Sequence, residues 1–241
     1  MTPRLKLRLS VKVESKLGKH PWVTDFIPLQ LLEALLPVPQ DPFNGDVARQ
    51  KLLRELASRD FGIAIETGTH YGATTTYLRE VMACHLLSVE NNSFFKRVAS
   101  RRFPDLASSG ELILGDSIQV LRDLRPMSRA LFYLDAHWGS SPRLDELDII
   151  MTSWREYVVL IDDVFIPEMS LKGASYGDVP FDVASVLGHL SGLELSSSWA
   201  VYRPSREAAD RYQLERGWLL ITDREEIQEL LGFSEFVEPV E

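Results

Sequence analysis

Five short apolar runs recur along the chain, and each ends at a charged or small residue. The runs are GIAIE (62–66), LLSVE (86–90), ELILG (111–115), LFYLD (131–135) and VVLID (158–162). Their starts are roughly 20 to 27 residues apart, and amphipathic helical stretches fill the intervals. This spacing is typical of repeated βα units, so it predicts a parallel sheet covered by helices on both faces.

Two further runs near the C-terminus have only a polar helical or loop segment between them. They are ELSSSWAVYR (194–203) and RGWLLIT (216–222), and we expect them to form a closing antiparallel pair. The whole pattern predicts an α/β fold, with a doubly wound, mostly parallel seven-stranded sheet and an antiparallel C-terminal strand pair.

The first 45 residues lie outside this alternation. Residues 5–14, LKLRLSVKVE, alternate apolar and polar side chains with the period of a strand. Such a strand can mediate a homodimer or act as a lid, and a sheet edge or a loose basic arm are alternatives. Residues 37–45 carry three prolines and a glycine and predict a connector, after which Asp46 is expected to cap a helix. We therefore divide the chain into an N-terminal extension, 1–45, and one main domain, 46–241.

The composition excludes several classes of protein. The 241 residues are 45% hydrophobic, which is enough for one large core. A formal net charge of −9 disfavours nucleic acid as a partner. No stretch reaches the roughly 18 apolar residues that a membrane helix needs, and the lone Cys84 fits a reducing compartment. We expect a cytoplasmic enzyme with no membrane partner.

Acidic residues stand at or just after the end of each of the five runs. They are Glu66, Glu90, Asp116, Asp135 and the pair Asp162-Asp163. In open α/β sheets, ligands bind beyond the carboxyl ends of the strands. One acidic tip alone is as well explained by a solvated strand end or a helix cap, but five in succession predict a ligand site.

The loop after the first run, ETGTHYG (66–72), has the features of an anion site. Gly68 and Gly72 let the backbone pass close to a ligand while helix N–H groups face an anion. The loop has neither the GxGxxG of dinucleotide folds nor the lysine of a P-loop. The loop suits a ligand that carries a small carboxylate and an adjacent ammonium, and Glu66 would bind the ammonium. Glu90 is placed to bind ribose hydroxyls.

Five motifs carry a family resemblance over residues 46–222: IETGTHYGATT, SVENN, GDS, FYLDAHW and LIDD. In order and spacing they resemble the class I S-adenosylmethionine-dependent methyltransferases, which implies a Rossmann-like methyltransferase fold. Thr74 either adds contacts at the helix start or only caps that helix. The resemblance assigns the methionine end of the cofactor to Glu66, Gly68, Thr69 and Gly72, the ribose to Glu90, and the adenine to Asp116 and Ser117.

Three carboxylates at neighbouring strand ends, Asp135, Asp162 and Asp163, point to a metal ion. Like charges so close are costly without a cation, and oxygen ligands suit Mg²⁺, Ca²⁺ or Mn²⁺ better than zinc. The arrangement resembles the divalent-metal O-methyltransferases of the catechol and macrocin-like sugar types, which implies that these residues hold magnesium. Alternatively, Asp162 or Asp163 binds backbone amides of the following loop.

The catalytic residues differ from the catechol type, in which a lysine directly follows Asp-His-Trp. Here Ala136 precedes His137, and a glycine follows the tryptophan. His137 is therefore the candidate base, acting with Asp135, although a histidine that stacks on the cofactor or supports another site residue is equally open. In the long loop 164–182 we expect the substrate contacts to be Tyr176, Asp178 and Phe181, and the competing view is a plain connector.

Together these observations predict a metal-assisted O-methyltransferase acting on a small hydroxylated molecule such as a sugar or secondary metabolite. One alternative is a metal-independent methyltransferase acting on a nitrogen or protein acceptor. Another is a nucleoside-binding module without methyl transfer.

Overall fold

The computed structural model describes residues 13, 16–36, 41–126, 129–136, 142–176, 179–193 and 198–240. Within these ranges the strands are β1 (Ile63–Thr67), β2 (His85–Glu90), β3 (Leu112–Leu114), β4 (Ala130–Leu134), β5 (Tyr157–Val164), β6 (Ser175–Tyr176), β7 (Val179–Pro180), β8 (Ala200–Pro204), β9 (Gly217–Thr222) and β10 (Val237–Pro239).

One sheet contains all of these strands except β6 and β7, which form a separate pair. Its order is β10-β8-β9-β5-β4-β1-β2-β3. The five strands β1 to β5 are parallel to one another. The other three pair antiparallel: β9 with β5, β8 with β9, and β10 with β8. The predicted parallel sheet and its antiparallel closing pair are confirmed. The predicted number of seven strands misses β10, a three-residue edge strand.

The α-helices of the described residues are α1 (Leu29–Leu35), α2 (Val47–Leu56), α3 (Ala73–Met82), α4 (Ser93–Arg102), α5 (Pro104–Ser108), α6 (Ser117–Asp123), α7 (Arg143–Ser153), α8 (Val183–Ser191), α9 (Arg206–Tyr212) and α10 (Glu225–Phe233). Short 3-10 helices cover Pro21–Phe26, Pro42–Gly45 and Pro167–Met169. The predicted cap of α2 is confirmed, since Asp46 Oδ1 accepts a hydrogen bond from the Arg49 backbone N–H at 2.9 Å. None of the described helices is long and apolar enough to cross a bilayer.

The sheet separates two apolar cores. In β1, for example, Ala64 packs in one core and Ile65 in the other, and β4 and β5 alternate in the same way. All residues of these three strands are buried, which explains why each appears in the sequence as a continuous apolar run. Because strands covered on both faces hold their carboxyl ends rigidly, they give a fixed platform for the residues that follow them.

The N-terminal extension packs against α4, next to the loop that follows β1. Leu32 and Leu36 share a buried cluster with Tyr71 of that loop, and Arg101 Nη2 donates to the Ile27 carbonyl oxygen at 2.7 Å. The predicted strand 5–14 lies outside the described residues except at Val13, whose backbone is helical, so the prediction is wrong at that residue. The homodimer proposed for this segment stays a prediction.

Candidate functional site

A cavity of about 400 Å³ opens at the carboxyl ends of the parallel strands. This volume lies in the range of small-molecule sites, roughly 300 to 1,000 Å³. The cavity is lined by residues 68–74 after β1, 89–92 at the end of β2, 115–117 after β3, Asp135 and Ala136 after β4, Asp163 of β5, and by Asp41, Phe43, Asn44, Phe95, Pro142 and Arg216.

Gly68 and Gly72 shape the loop after β1, as the sequence predicts. Gly68 has φ +93°, and a Cβ there would lie 2.8 Å from the backbone oxygen of Asp135. The loop therefore packs directly on the end of β4. Gly72, at φ +82°, is the residue before α3, so the first N–H groups of that ten-residue helix begin in the cavity wall, where Thr74 also lies.

Glu66 lies beneath this loop and is fully buried. Its Oε2 accepts from Ser88 Oγ at 2.5 Å and from Thr75 Oγ1, while Oε1 has no hydrogen-bond partner among the described residues. Burial raises the pKa of Glu66 to about 7. The structure places Glu66 below the cavity and not in its wall, so in this conformation it acts on a ligand through its charge.

Glu90 does line the cavity, at the end of β2. Its Oε2 accepts from the His70 backbone N–H and its Oε1 from the Asn92 backbone N–H, each at 2.8 Å. Burial raises the pKa of this carboxyl. The Asn91 backbone N–H also interacts with this carboxylate, so three of its roughly four acceptor sites are used and one remains for a ligand hydroxyl.

Asp116 and Ser117 lie together in the cavity wall after β3. Asp116 caps α6 by accepting from the Gln119 backbone N–H at 3.0 Å, and Ser117 bonds to the buried Glu146. Thr67 Oγ1 also donates to Glu146, at 3.2 Å. Burial raises the pKa of Glu146 to about 7. A second buried carboxyl, which the sequence does not distinguish from an ordinary helix acid, therefore supports this side of the cavity.

Asp162 faces away from the cavity and is buried. Its Oδ1 lies 2.6 Å from Arg49 Nη1 and accepts from the Asp163 backbone N–H at 2.8 Å, while its Oδ2 accepts from the Tyr133 hydroxyl at 2.6 Å. Burial alone would raise the pKa of Asp162, but the Arg49 charge and these hydrogen bonds hold it below its usual range. Asp162 does bind a backbone amide, but this amide belongs to Asp163 within β5 and not to the following loop.

Asp163 turns into the cavity at an irregularity of β5. The register with β9 shifts between Ile161 and Val164, and Asp163 adopts φ +54°. Its Oδ1 lies 2.7 Å from Nη1 of Arg216, whose side chain is 46% exposed and lines the same cavity. A left-handed aspartate held in this way is the kind of local strain that clusters at functional sites.

The three predicted metal ligands do not fit a divalent ion. Asp135, Asp162 and Asp163 are all described, yet no group of three carboxylate, histidine or cysteine side chains within the described ranges is arranged to hold a metal. The predicted need for a cation is met differently, because Arg49 pairs with Asp162 and Arg216 with Asp163. Neither arginine was predicted from the sequence.

The predicted base and the predicted substrate contacts are not found together in the cavity wall of the described residues. His137 and Asp178 lie outside the described residues. Tyr176 lies in β6, and its backbone alone is described. Phe181 is 5% exposed and packs under the Arg143 guanidinium, 4.0 Å from the ring centre. The structure therefore places Phe181 in the core and not in the cavity.

Two parts of the cavity wall were not predicted. His70 lines it and packs against Phe95, with ring centres 4.6 Å apart. The end of the predicted connector also lines it, since Phe43 is buried, packs edge-on against Tyr133 and donates its backbone N–H to Thr74 Oγ1 at 3.1 Å. His70 belongs to the predicted ligand loop, although its packing on Phe95 was not predicted, whereas no local sequence pattern marks the tertiary contacts of Phe43.

No protein-family model matches this chain, and no curated protein matches its sequence. Solved structures do match. The O-methyltransferase TomG from Streptomyces achromogenes, involved in tomaymycin synthesis and solved in complex with S-adenosylmethionine, is 16% identical, with a TM-score of 0.55 over 78% of this chain and 83% of that one. An O-methyltransferase from Bacillus cereus, solved with S-adenosylhomocysteine, is 11% identical, with a TM-score of 0.52 over 74% and 81%. At such identities the likeness establishes the fold, and the predicted Rossmann-like methyltransferase fold is confirmed.

Proposed function

We propose that this protein is an S-adenosylmethionine-dependent methyltransferase that methylates an oxygen of a small hydroxylated molecule. One observation carries the proposal: a single cavity presents a helix N-terminus after β1, the Glu90 carboxylate after β2 and the Asp116-Ser117 pair after β3. These groups follow the order in which the cofactor presents a carboxylate, ribose hydroxyls and a base edge. The two solved O-methyltransferases with S-adenosylmethionine or S-adenosylhomocysteine support the same interpretation.

The residues present fit this cofactor. The N–H groups that begin α3, reached through Gly68, Thr69 and Gly72, suit its methionine carboxylate. Glu90 suits the ribose, and Asp116 with Ser117 suits the adenine. The buried Glu66 lies below the loop and, when ionised, favours the cationic groups of the ligand. When bound, S-adenosylmethionine supplies an electrophilic methyl group on a sulfonium.

The acceptor is expected at Asp135 and Asp163, beside Arg216. Methylation of a hydroxyl forms a C–O bond, breaks a C–S bond whose electron pair stays on sulfur, and releases the hydroxyl proton. We assign acceptance of that proton to Asp135, which lines the cavity. Magnesium was predicted to assist, but since the described carboxylates do not fit it, no step here depends on a metal.

The decisive experiment is calorimetry with S-adenosylmethionine on wild type and Glu90→Gln. A hydrogen bond to a charged group contributes about 1.5–3 kcal/mol, so affinity should fall about tenfold or more in Glu90→Gln. Glu80→Gln, an exposed glutamate of α3, is the matched control and should bind normally.

No binding heat in wild type would contradict the proposal at its centre. Turnover is then followed as S-adenosylhomocysteine formed with a panel of phenols, sugars and amines. Binding without product from any acceptor would favour a nucleoside-binding module, and product from amines alone would favour the nitrogen acceptor.

A further inference from the structure

We propose that Arg216, held by Asp163, takes the place of the predicted metal ion and stabilises the deprotonated oxygen of the acceptor, and that the acceptor is a phenol or enol. This inference rests on the proposed function and names its substrate class. It follows from three features of the strand ends: the charge balance, the fixed geometry of the Asp163–Arg216 pair, and the exposed part of the guanidinium.

Two of the three carboxylates at the ends of β4 and β5 are already ion-paired with arginines. Asp162 and Asp163 are ion-paired with Arg49 and Arg216 at 2.6 and 2.7 Å. Two guanidinium groups carry the same two positive charges as one divalent ion. Asp135 also interacts electrostatically with Arg216, so the third carboxylate shares the same compensation. A divalent ion bound by Asp162 or Asp163 would compete with a guanidinium for that carboxylate.

The backbone fixes the Asp163–Arg216 pair from both sides. The Asp163 N–H donates to Asp162, and the Asp163 carbonyl accepts from the Ala174 N–H at 2.7 Å. Arg216 directly precedes Gly217, where a Cβ would lie 2.2 Å from the Val164 oxygen. Only a glycine lets β9 approach β5 so closely, and this approach places Arg216 beside Asp163.

Arg216 retains donors for a ligand. A guanidinium has five N–H groups, and Asp163 accepts from one of its nitrogens at 2.7 Å. The side chain is 46% exposed and lines the cavity. Fixed donors aimed at a developing oxyanion stabilise it, which is the part that a metal ion plays in metal-assisted transfer.

A single positive charge limits which hydroxyls are suitable. An adjacent opposite charge lowers a pKa by about 1–3 units. A phenol, with a pKa of about 10 like that of tyrosine, would then ionise near neutral pH. An aliphatic hydroxyl, closer to the value of about 15.7 for water, would not. The arginine therefore favours a phenol or enol over a sugar.

The test uses 4-nitrophenol, whose phenolate is coloured, titrated with pH in the presence of the protein alone. The pKa of the bound phenol should lie about one unit or more below its value in solution for wild type and for Arg206→Gln, an exposed arginine outside the cavity. In Arg216→Gln the pKa should return to the solution value. Circular dichroism and melting temperature confirm that both variants fold.

Three results would overturn the inference. The pKa of 4-nitrophenol could be the same with wild type as in solution, its lowering could persist in Arg216→Gln, or EDTA could abolish the lowering. Titration of the wild type with Mn²⁺, followed by electron paramagnetic resonance, is the second measurement. No stoichiometric binding is expected, and tight binding that Asp163→Asn removes would overturn the inference. Neither the phenol titration nor the Mn²⁺ titration requires methyl transfer. Failure of S-adenosylmethionine to bind would therefore refute the proposed function without changing the outcome of these two measurements.

Discussion

Glu66 and Glu146 lie on opposite sides of the segment at the end of β1, and both are fully buried. Each carboxyl bonds to hydroxyl groups, and each has one oxygen, Oε1, without a partner among the described residues. Burial raises both pKa values from 4.5 to about 7. Both groups therefore hold a proton more tightly in the folded chain than in the unfolded chain.

Because both pKa values are raised, these two groups make stability fall as pH rises. Their contribution is complete below about pH 4.5 and is lost as pH rises through about 7. A shift of this size corresponds to about 3 kcal/mol per group. Glu66→Gln, which cannot ionise, should therefore gain about 3 kcal/mol of unfolding free energy over wild type between about pH 4.5 and pH 8.

Urea denaturation of both proteins across this range is the measurement, and Glu146→Gln should behave alike. Glu229→Gln, an exposed glutamate of α10, is the control and should run parallel to wild type. A Glu66→Gln curve parallel to wild type would contradict the prediction, since Glu66 would then remain ionised without cost in the folded state.

The sequence predicted single residues unevenly. The acidic residues at the strand ends were found because each follows an apolar run, a purely local signal. Their arginine partners are far away in sequence, since Arg49 precedes Asp162 by more than a hundred residues. One signal did exist: Arg49 shares the apolar face of α2 with Leu52, Leu53 and Leu56, and a charge at a core position implies a buried partner.

At the scale of elements, the turn from β1 into α3 is sensitive to a single added methyl group. Gly68→Ala adds a Cβ that would lie 2.8 Å from the Asp135 oxygen, at a residue with φ +93°. Gly110→Ala is a matched control, because Gly110 also has a positive φ, +78°, with open space around it. The control variant bears only the backbone strain, about 1 kcal/mol.

We expect Gly68→Ala to lose about 1–3 kcal/mol more unfolding free energy than Gly110→Ala and to bind S-adenosylmethionine more weakly. Chemical denaturation and calorimetry on Gly68→Ala and Gly110→Ala separate the effect of the Cβ clash with Asp135 from the effect of backbone strain at a positive φ. Equal losses of stability with unchanged binding in both variants would show that the loop can move away from β4, against the packing described here.

Elements were predictable where burial is continuous. The strands β1 to β5 are mostly apolar before their carboxyl ends and were located to within a few residues of those ends. The edge strand β10 is three residues long and ends in proline, so it carries no alternation. The segment 41–45 looks like a connector because prolines dominate it, yet Phe43 becomes part of the cavity through contacts with Tyr77 and Tyr133, which local composition does not encode.

At the scale of the whole molecule, Arg49 joins parts of the chain that are distant in sequence. Its guanidinium lies near the rings of Phe43 and Trp218, 5.5 and 5.6 Å from their centres, and pairs with Asp46 and Asp162. Trp218 also donates to Asp46, at 3.0 Å. The connector, α2, β5 and β9 therefore meet at one buried cation.

Removal of this cation should cost far more than removal of a surface one. Arg49→Met leaves the buried Asp162 uncompensated, and breaking a buried pair in this way costs about 3–5 kcal/mol. Arg129→Met is the comparison, because the Arg129–Asp60 pair is exposed and contributes about 1 kcal/mol or less. In Arg49→Met/Asp162→Asn the Asp162 charge is removed as well, and Asp46 keeps its hydrogen bonds from the residue 49 backbone N–H and from Trp218, so part of the lost stability should return.

Unfolding free energies of the three variants and wild type, measured in urea near neutral pH, decide the matter. A loss in Arg49→Met no larger than in Arg129→Met would mean that water reaches Asp162 or that the strand end relaxes around it. A double variant no more stable than Arg49→Met would assign the loss to the packing of Arg49 against Phe43 and Trp218. Only recovery in the double variant identifies charge as the reason that an arginine stands at a core position of α2.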